Sequence, residues 1–241
     1  MKIAIIGYGK MGKEIEKVAK ERKHEIVAII DSEEDWEDDA DEIAKAEVAI
    51  EFSTPETAIS NARLCFEHNI PVVIGSTGWY DHLDELKNFC LSNHKTMLYS
   101  PNFSIGVNVF FKLNQELARL MNNFDEYDVS LEETHHIYKQ DSPSATALKL
   151  VNDLISTLTR KEKWMKSAIS NPNEIEVKSF REGNIPGIHV VTYESDCDTI
   201  EIKHSAINRR GFALGAVKSA EWLIGKTGVF EMKDVLNFDG V

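Results

Sequence analysis

Two stretches of this chain carry residues whose types and spacing could do chemistry. Gly7-Tyr8-Gly9-Lys10-Met11-Gly12 reads GxGxxG, with an apolar run before it, helix-forming residues after it, and Asp31 lying 19 positions past Gly12. In that setting Gly7 permits a tight turn, Gly9 lets a pyrophosphate approach the backbone, and Gly12 lets helix and strand pack closely. The helix N-terminus faces the phosphates, and Asp31 accepts hydrogen bonds from a ribose diol. A glycine-rich turn without ligand is the bland alternative. The second stretch runs from Glu133 to Ala147 as ETHHIYKQDSPSATA. It gathers two imidazoles, a lysine and carboxylates just before a helix start. Amides of Ser144, Ala145 and Thr146 fall in the first turn, unpaired within the helix. With the two hydroxyls, Lys139 and a histidine, they make a site for a carboxylate ligand. Lysine and histidine are also proton donors. Adjacent histidines invite a metal reading, but no third ligand stands at metal-like spacing, so no metal is expected.

These residues need elements to hold them. Short apolar runs at 3–6, 26–30, 48–52, 72–74 and 97–99 predict parallel strands covered on both faces. Helices are predicted at 13–21, 57–68 and 81–93. Such alternation implies a doubly wound sheet. The turns Phe52-Ser53-Thr54-Pro55 and Gly75-Ser76-Thr77-Gly78-Trp79 follow strand ends, where open α/β sheets bind ligands. The acidic stretch 32–41 reads as a solvated loop with a weak helix. After Pro101 the pattern changes: Val107, Phe110, Phe111, Leu117, Ala118 and Met121 form one helical face. A strand over 127–134 precedes a helix over 143–160, started by Asp141-Ser142-Pro143. Strands over 175–181, 188–195 and 199–207 and a helix over 211–225 complete an α+β unit with an open mixed sheet.

Composition narrows the possibilities. The chain has 241 residues with 27 basic and 40 acidic side chains, a formal net charge of −13. Such acidity argues against nucleic acid as a partner. No apolar run approaches the ~18 residues of a membrane span, so no membrane partner is expected. Cys65, Cys90 and Cys197 form no CxxC pair, and with no signal peptide in view they point to the cytoplasm. A regulator that only senses nucleotides, or another two-domain dehydrogenase, shares the first half of this pattern. The regulator needs a DNA-binding module, and the acidic chain offers none.

Taken together, these residues resemble the dihydrodipicolinate reductase family. Its signature is approximately E-x-HH-x-x-K-x-D-x-P-S-G-T-A, which Glu133 to Ala147 matches except that Ala145 replaces the glycine. Pro101-Asn102-Phe103-Ser104-Ile105-Gly106-Val107-Asn108, Arg181-Glu182-Gly183 through Gly187-Ile188-His189, and the stretch from Ala216 to Gly225 are similar as well. The resemblance implies reduction of 4-hydroxy-tetrahydrodipicolinate to tetrahydrodipicolinate and water, on the diaminopimelate route to lysine. It implies acid–base work by His135, proton donation by Lys139, and substrate carboxylates bound by His136, Ser144, Ala145 and Thr146. Gly7, Tyr8, Gly9, Lys10, Met11, Gly12, Asp31, Gly75, Ser76, Thr77, Ser100, Pro101, Asn102 and Phe103 would surround the nucleotide. The implied fold is a Rossmann-like doubly wound parallel sheet with a second α+β domain. Residues 1–104 plus 212–241 would be the dinucleotide-binding domain, and 105–211 the substrate-binding and oligomerisation domain.

Two further expectations concern cofactor and assembly. Asp31 would repel a 2′-phosphate, and no basic residue follows before Lys45, so NADH is expected to be preferred, with some use of NADPH as in this family. Ile188 and Val190 point to one side of their strand while Val191 and Tyr193 point to the other. An apolar second face needs a cover, and the resemblance implies a homotetramer built on this sheet.

Overall fold

The computed structural model describes residues 1–166 and 171–238. Positions 167–170 and 239–241, inside the expected domain ranges, lie outside the described residues. The chain opens with β1 (Lys2–Ile6), α1 (Lys10–Glu21), β2 (Glu25–Ile30), α2 (Glu34–Asp38), α3 (Ala40–Ile43), β3 (Val48–Glu51), α4 (Ala58–Glu67), β4 (Val72–Ile74), α5 (Leu83–Ser92), β5 (Thr96–Tyr99) and α6 (Ile105–Met121). Next come β6 (Asp128–His135), α7 (Ala145–Thr157), β7 (Lys163–Met165), β8 (Glu174–Arg181), β9 (Ile188–Glu194) and β10 (Thr199–Ser205). Last are α8 (Arg210–Leu223), β11 (Gly228–Phe230) and α9 (Met232–Leu236). Two compact units result, residues 1–105 with 209–241, and residues 106–208.

The first unit is a parallel sheet in the order β11-β5-β4-β3-β1-β2. Successive side chains of β1 point to opposite faces, as the two-residue period of a strand requires. Ile3 and Ile5 pack with Ile15 and Val18 of α1 and with Ala216, Val217 and Ala220 of α8. Ala4 and Ile6 pack on the other face with Ala62 and Phe66 of α4 and Leu86 of α5. Burying such a side chain contributes about 1.5–3 kcal/mol, so a strand apolar on both faces is stable only with helices on both. α8 lies so close that a Cβ at Gly215 would stand 1.7 Å from the Phe103 carbonyl oxygen. The acidic stretch is more ordered than its composition predicts: it forms α2 and α3, with Trp36 and Ile43 buried beneath the charges.

The second unit is a mixed sheet in the order β10-β9-β6-β8-β7. β6 runs antiparallel to β9 and parallel to β8. Along β6 the side chains alternate, with Val129, Leu131, Glu133 and His135 buried. Val129 and Leu131 pack with Leu150, Val151 and Leu154 of α7 and with Phe110 of α6. Register places His189 of β9 opposite Glu133, and Ser179 and Arg181 of β8 opposite Glu133 and His135. The sheet face that begins as apolar core thus ends, on three neighbouring strands, in a row of polar side chains. The predicted helix over 143–160 is corrected to Ala145–Thr157. Ser144 is its N-cap, accepting from the Ala147 amide at 3.2 Å, and Pro143 precedes the helix after a cis peptide bond.

Candidate active site

In the first unit Gly7 adopts φ +84°, open to glycine at little cost, and a Cβ there would lie 2.4 Å from the Phe52 carbonyl oxygen. A Cβ on Gly12 would meet the Gly7 carbonyl oxygen at 2.2 Å, so this glycine lets α1 approach the turn. Around Gly9, the N-cap of α1, a Cβ would touch nothing within 4 Å, and no side chain caps the helix. The open backbone there, with the helix dipole behind it, suits a phosphate group. Asp31 accepts from the Tyr8 amide at 2.7 Å, which ties the fingerprint turn to the end of β2. The Asp31 and Ser32 amides in turn donate to Asp35, at 2.7 and 2.8 Å. A cleft of about 580 Å³ opens here, lined among others by Gly7, Gly9, Asp31, Glu33, Ser53 and Thr54. The phenyl ring of Phe52, also in its wall, occupies the space that a side chain at Gly75 would need. Trp79 donates its indole N–H to the Ser76 carbonyl at 2.7 Å, and Ser100 donates to the Asn102 carbonyl at 2.9 Å, so both outer turns are held internally. Phe103 is buried against α8, its ring 5.7 Å from that of Phe52.

The polar row of the second unit centres on Glu133, which is buried. Its Oε1 accepts from the Ser144 amide at 3.0 Å and from Arg181 at 3.3 Å. Oε2 lies 3.2 Å from His135 Nδ1 and 3.7 Å from His189 Nε2. Burial opposes ionisation, but His135, Ser144 and Ser179 around the carboxyl outweigh it and hold Glu133 well below the ordinary carboxylate range. His189 is the reverse case: burial and the neighbouring His135 push it down to about 4, so it is neutral near pH 7. Its Nε2 stands 3.2 Å from the Ser144 hydroxyl. At the other side of His135, a Cβ on Gly187 would come within 2.9 Å of Nε2, so this glycine keeps that nitrogen uncrowded.

Lys139 sits in the turn after β6, its Nζ 2.7 Å from Asp141 Oδ1. Arg181 fixes that turn, donating to the Lys139 carbonyl at 3.3 Å and the Asp141 carbonyl at 2.6 Å. His136 is half-buried beside the same turn, and Ala145 and Thr146 open α7. The Ser144 amide, expected as an open donor, is bonded to Glu133, which leaves Ala145 and Thr146 as the donors of the first helical turn. Donor atoms of Glu133, His135 and His189 lie within 4.8 Å of one another. Arg181 already brings positive charge to that carboxylate, which disfavours a cation between them. Glu133, Arg181, Gly187 and His189 carry no functional role in the residue-level reading. Only the strand register, which pairs Glu133 with His189, brings the distant stretch into the site.

A dinucleotide turn on one sheet and a proton-bearing cluster on another make this an oxidoreductase that works with a nicotinamide nucleotide. Family models for the N-terminus and C-terminus of dihydrodipicolinate reductase match residues 1–103 and 106–236. A 4-hydroxy-tetrahydrodipicolinate reductase of Christiangramia forsetii is 46% identical over 237 residues, covering 98% of both chains. One from Thermosipho africanus is 35% identical, again over 98% of each. The solved dipicolinate-bound dihydrodipicolinate reductase from Paenisporosarcina sp. TG-14 shares the fold at 21% identity. Its TM-score is 0.77, over 96% of this chain and 97% of that one. The chain belongs to the dihydrodipicolinate reductase family. No helix among the described residues is long and apolar enough to cross a membrane.

Proposed function

We propose that this chain reduces 4-hydroxy-tetrahydrodipicolinate to tetrahydrodipicolinate with loss of water, on the diaminopimelate route to lysine. The first unit serves as the dinucleotide-binding domain and the second as the substrate-binding domain. The carrying observation is the arrangement around Glu133: one buried carboxylate flanks His135, while Arg181 ties it to the turn that presents Lys139. The reduced nicotinamide, when bound, supplies the hydride. The fingerprint turn, Asp31, Gly75 to Thr77 and Ser100 to Phe103 hold the nucleotide. Ala145 and Thr146 amides, the Thr146 hydroxyl, His136 and Lys139 receive the substrate carboxylates, and Ser144 orders their helix. Glu133 beside Nδ1 favours the proton on that nitrogen of His135, leaving Nε2 for substrate. Lys139 donates the proton that accompanies the hydride, and His135 serves departure of the hydroxyl as water. Oxidation of NADH or NADPH coupled to freshly generated substrate tests the reading. An enzyme that leaves both nucleotides unoxidised would refute it.

NADH is the preferred nucleotide in this proposal. The cleft wall contains Asp31, Glu33 and Glu37 and no lysine or arginine among its lining residues. Unit charges about 4 Å apart repel by roughly 4 kcal/mol at an effective dielectric near 20, before salt and loop movement reduce the effect. The expected result is a higher kcat/KM for NADH, and a loss of about tenfold in that preference in Asp31→Ala. A preference for NADPH in the wild type, or the same ratio in both proteins, overturns the role of Asp31.

The second unit also serves oligomerisation in this proposal. Ile188, Val190, Phe180 and Met165 share the face of the second sheet turned away from its own helices, with Phe180 47% exposed. A cover from further copies explains apolar side chains there, and a homotetramer is the proposed state. Light scattering at micromolar concentration is expected to give about four times the 27.3 kDa chain mass, and particles of one chain mass would overturn it. The cysteines of the chain are all free thiols, which suits a cytoplasmic setting.

A further inference from the structure

Glu51 ends β3 with no exposed surface. One of its oxygens gathers the two turns that follow β3 and β4. Oε1 accepts from the Ser53 amide at 2.9 Å, from the Ser53 hydroxyl, and from the Ser76 hydroxyl at 3.1 Å. The network extends outward: Ser53 Oγ lies 2.9 Å from the Thr57 hydroxyl and accepts from the Asn61 amide at 3.1 Å. Ser53, Thr57 and Asn61 all line the cleft beside Asp31. The other oxygen, Oε2, is buried without a hydrogen-bond partner. An ionised carboxyl with one bare buried oxygen carries a large desolvation penalty, which a proton on that oxygen relieves. Burial accordingly pushes the Glu51 carboxyl up.

We propose that Glu51 is a positioning residue for the nucleotide, tying the turn at 52–57 to the turn at 75–79 through a single carboxyl oxygen. The proposal rests on the reading that this edge of the sheet holds NADH or NADPH. Glu51 touches no reacting atom. It sets the spacing of the hydroxyl-bearing wall, and Ser76 is the link to the second turn. A glutamine offers the same acceptor at Oε1, whereas alanine removes the acceptor shared by the Ser53 amide and the Ser53 and Ser76 hydroxyls, and leaving buried donors unmet is costly.

The test measures dissociation constants of NADH and NADPH by calorimetry on the full-length protein, with steady-state kinetics alongside. Glu51→Ala is expected to weaken both nucleotides at least tenfold, with their ratio unchanged, and to leave KM for 4-hydroxy-tetrahydrodipicolinate within twofold. Glu51→Gln is expected to stay within threefold of wild type for both nucleotides. A folded Glu51→Ala protein that binds them as tightly as wild type overturns the proposal. So does an equal rise in substrate KM, the mark of a general structural role. Glu51→Gln as damaging as Glu51→Ala overturns the role of Oε1 as the shared acceptor. Should Glu51→Ala fail to fold, Ser76→Ala decides: about threefold weaker nucleotide binding supports the link, and unchanged binding removes it. Wild-type protein that binds neither nucleotide refutes the underlying reading instead.

Discussion

Lys139→Ala is expected to lower kcat by about 10²–10⁴-fold, the usual contribution of a positioned proton donor. The ammonium is held at 2.7 Å by Asp141, and the backbone on either side is clamped by Arg181, so the donor is placed before substrate arrives. Alanine removes the proton source without disturbing that clamp, since Arg181 bonds only main-chain oxygens of the turn. The nucleotide dissociation constant and the far-ultraviolet circular dichroism are therefore expected to stay at wild-type values. KM for substrate rises as well, because a cation opposite a carboxylate is lost. His135→Ala is expected to lower kcat by a similar order and to change the shape of the pH–rate profile. Near-normal turnover in both variants would remove the catalytic assignment.

Acid is expected to destabilise the second unit in two steps, and the buried cluster supplies both. His189 has an ordinary value of 6.5 and is pushed down to about 4 in the fold. Its stabilising contribution is complete above pH 6.5 and is lost as pH falls toward 4, because the unfolded chain takes up the proton first. At 1.36 kcal/mol per pH unit, this amounts to at most about 3 kcal/mol. Glu133 has its ordinary value at 4.5 and is held far below it, so its contribution is lost as pH falls below about 4.5. Denaturant unfolding at pH 7.5, 5.5 and 4 measures the first step. His189→Gln is expected to be less stable at pH 7.5 yet to show a shallower decline down to pH 4. A parallel decline in the variant would show that His189 does not carry it.

The fingerprint turn was readable because its three glycines each answer a different steric demand within six residues, and the structure meets two of those demands with backbone oxygens at Gly7 and Gly12. Strands of the first sheet were readable for the same local reason: β-branched runs apolar on both faces have few other places to go. β11 was not, since Gly228-Val229-Phe230 is too short to show a period and becomes a strand only by pairing with β5. Asp141-Ser142-Pro143 misled because a proline after a capping residue fits a helix start equally well when the real cap, Ser144, stands one residue later. Within the site, His135, His136 and Lys139 announce themselves by crowding into five positions. Glu51 does not, because a single acid at the end of a strand usually marks its exposed edge, and Glu133 stands at the head of the same stretch with nothing to set it apart. Their roles come from burial, and His189 becomes a partner of Glu133 through antiparallel register across 56 positions of sequence.

The place of α8 in the chain bears on how a newly made molecule reaches this fold. β1, β3, β4 and β5 have all been synthesised by Tyr99, yet one face of their sheet is covered by Ala213, Ala216, Val217 and Ala220, which follow more than a hundred residues later. At about 5–20 residues per second, that face waits roughly 5–20 seconds at the ribosome for its cover. During the wait Ile5, Ile50, Val73 and Leu98 have α1 and Phe103 for shelter but lack α8. The entire second unit emerges in that interval, and the described core of that unit is drawn from residues between Phe110 and Ile202. The later-made unit can therefore finish folding before the earlier one, and α8, β11 and α9 complete the sheet and core that β1 to β5 began.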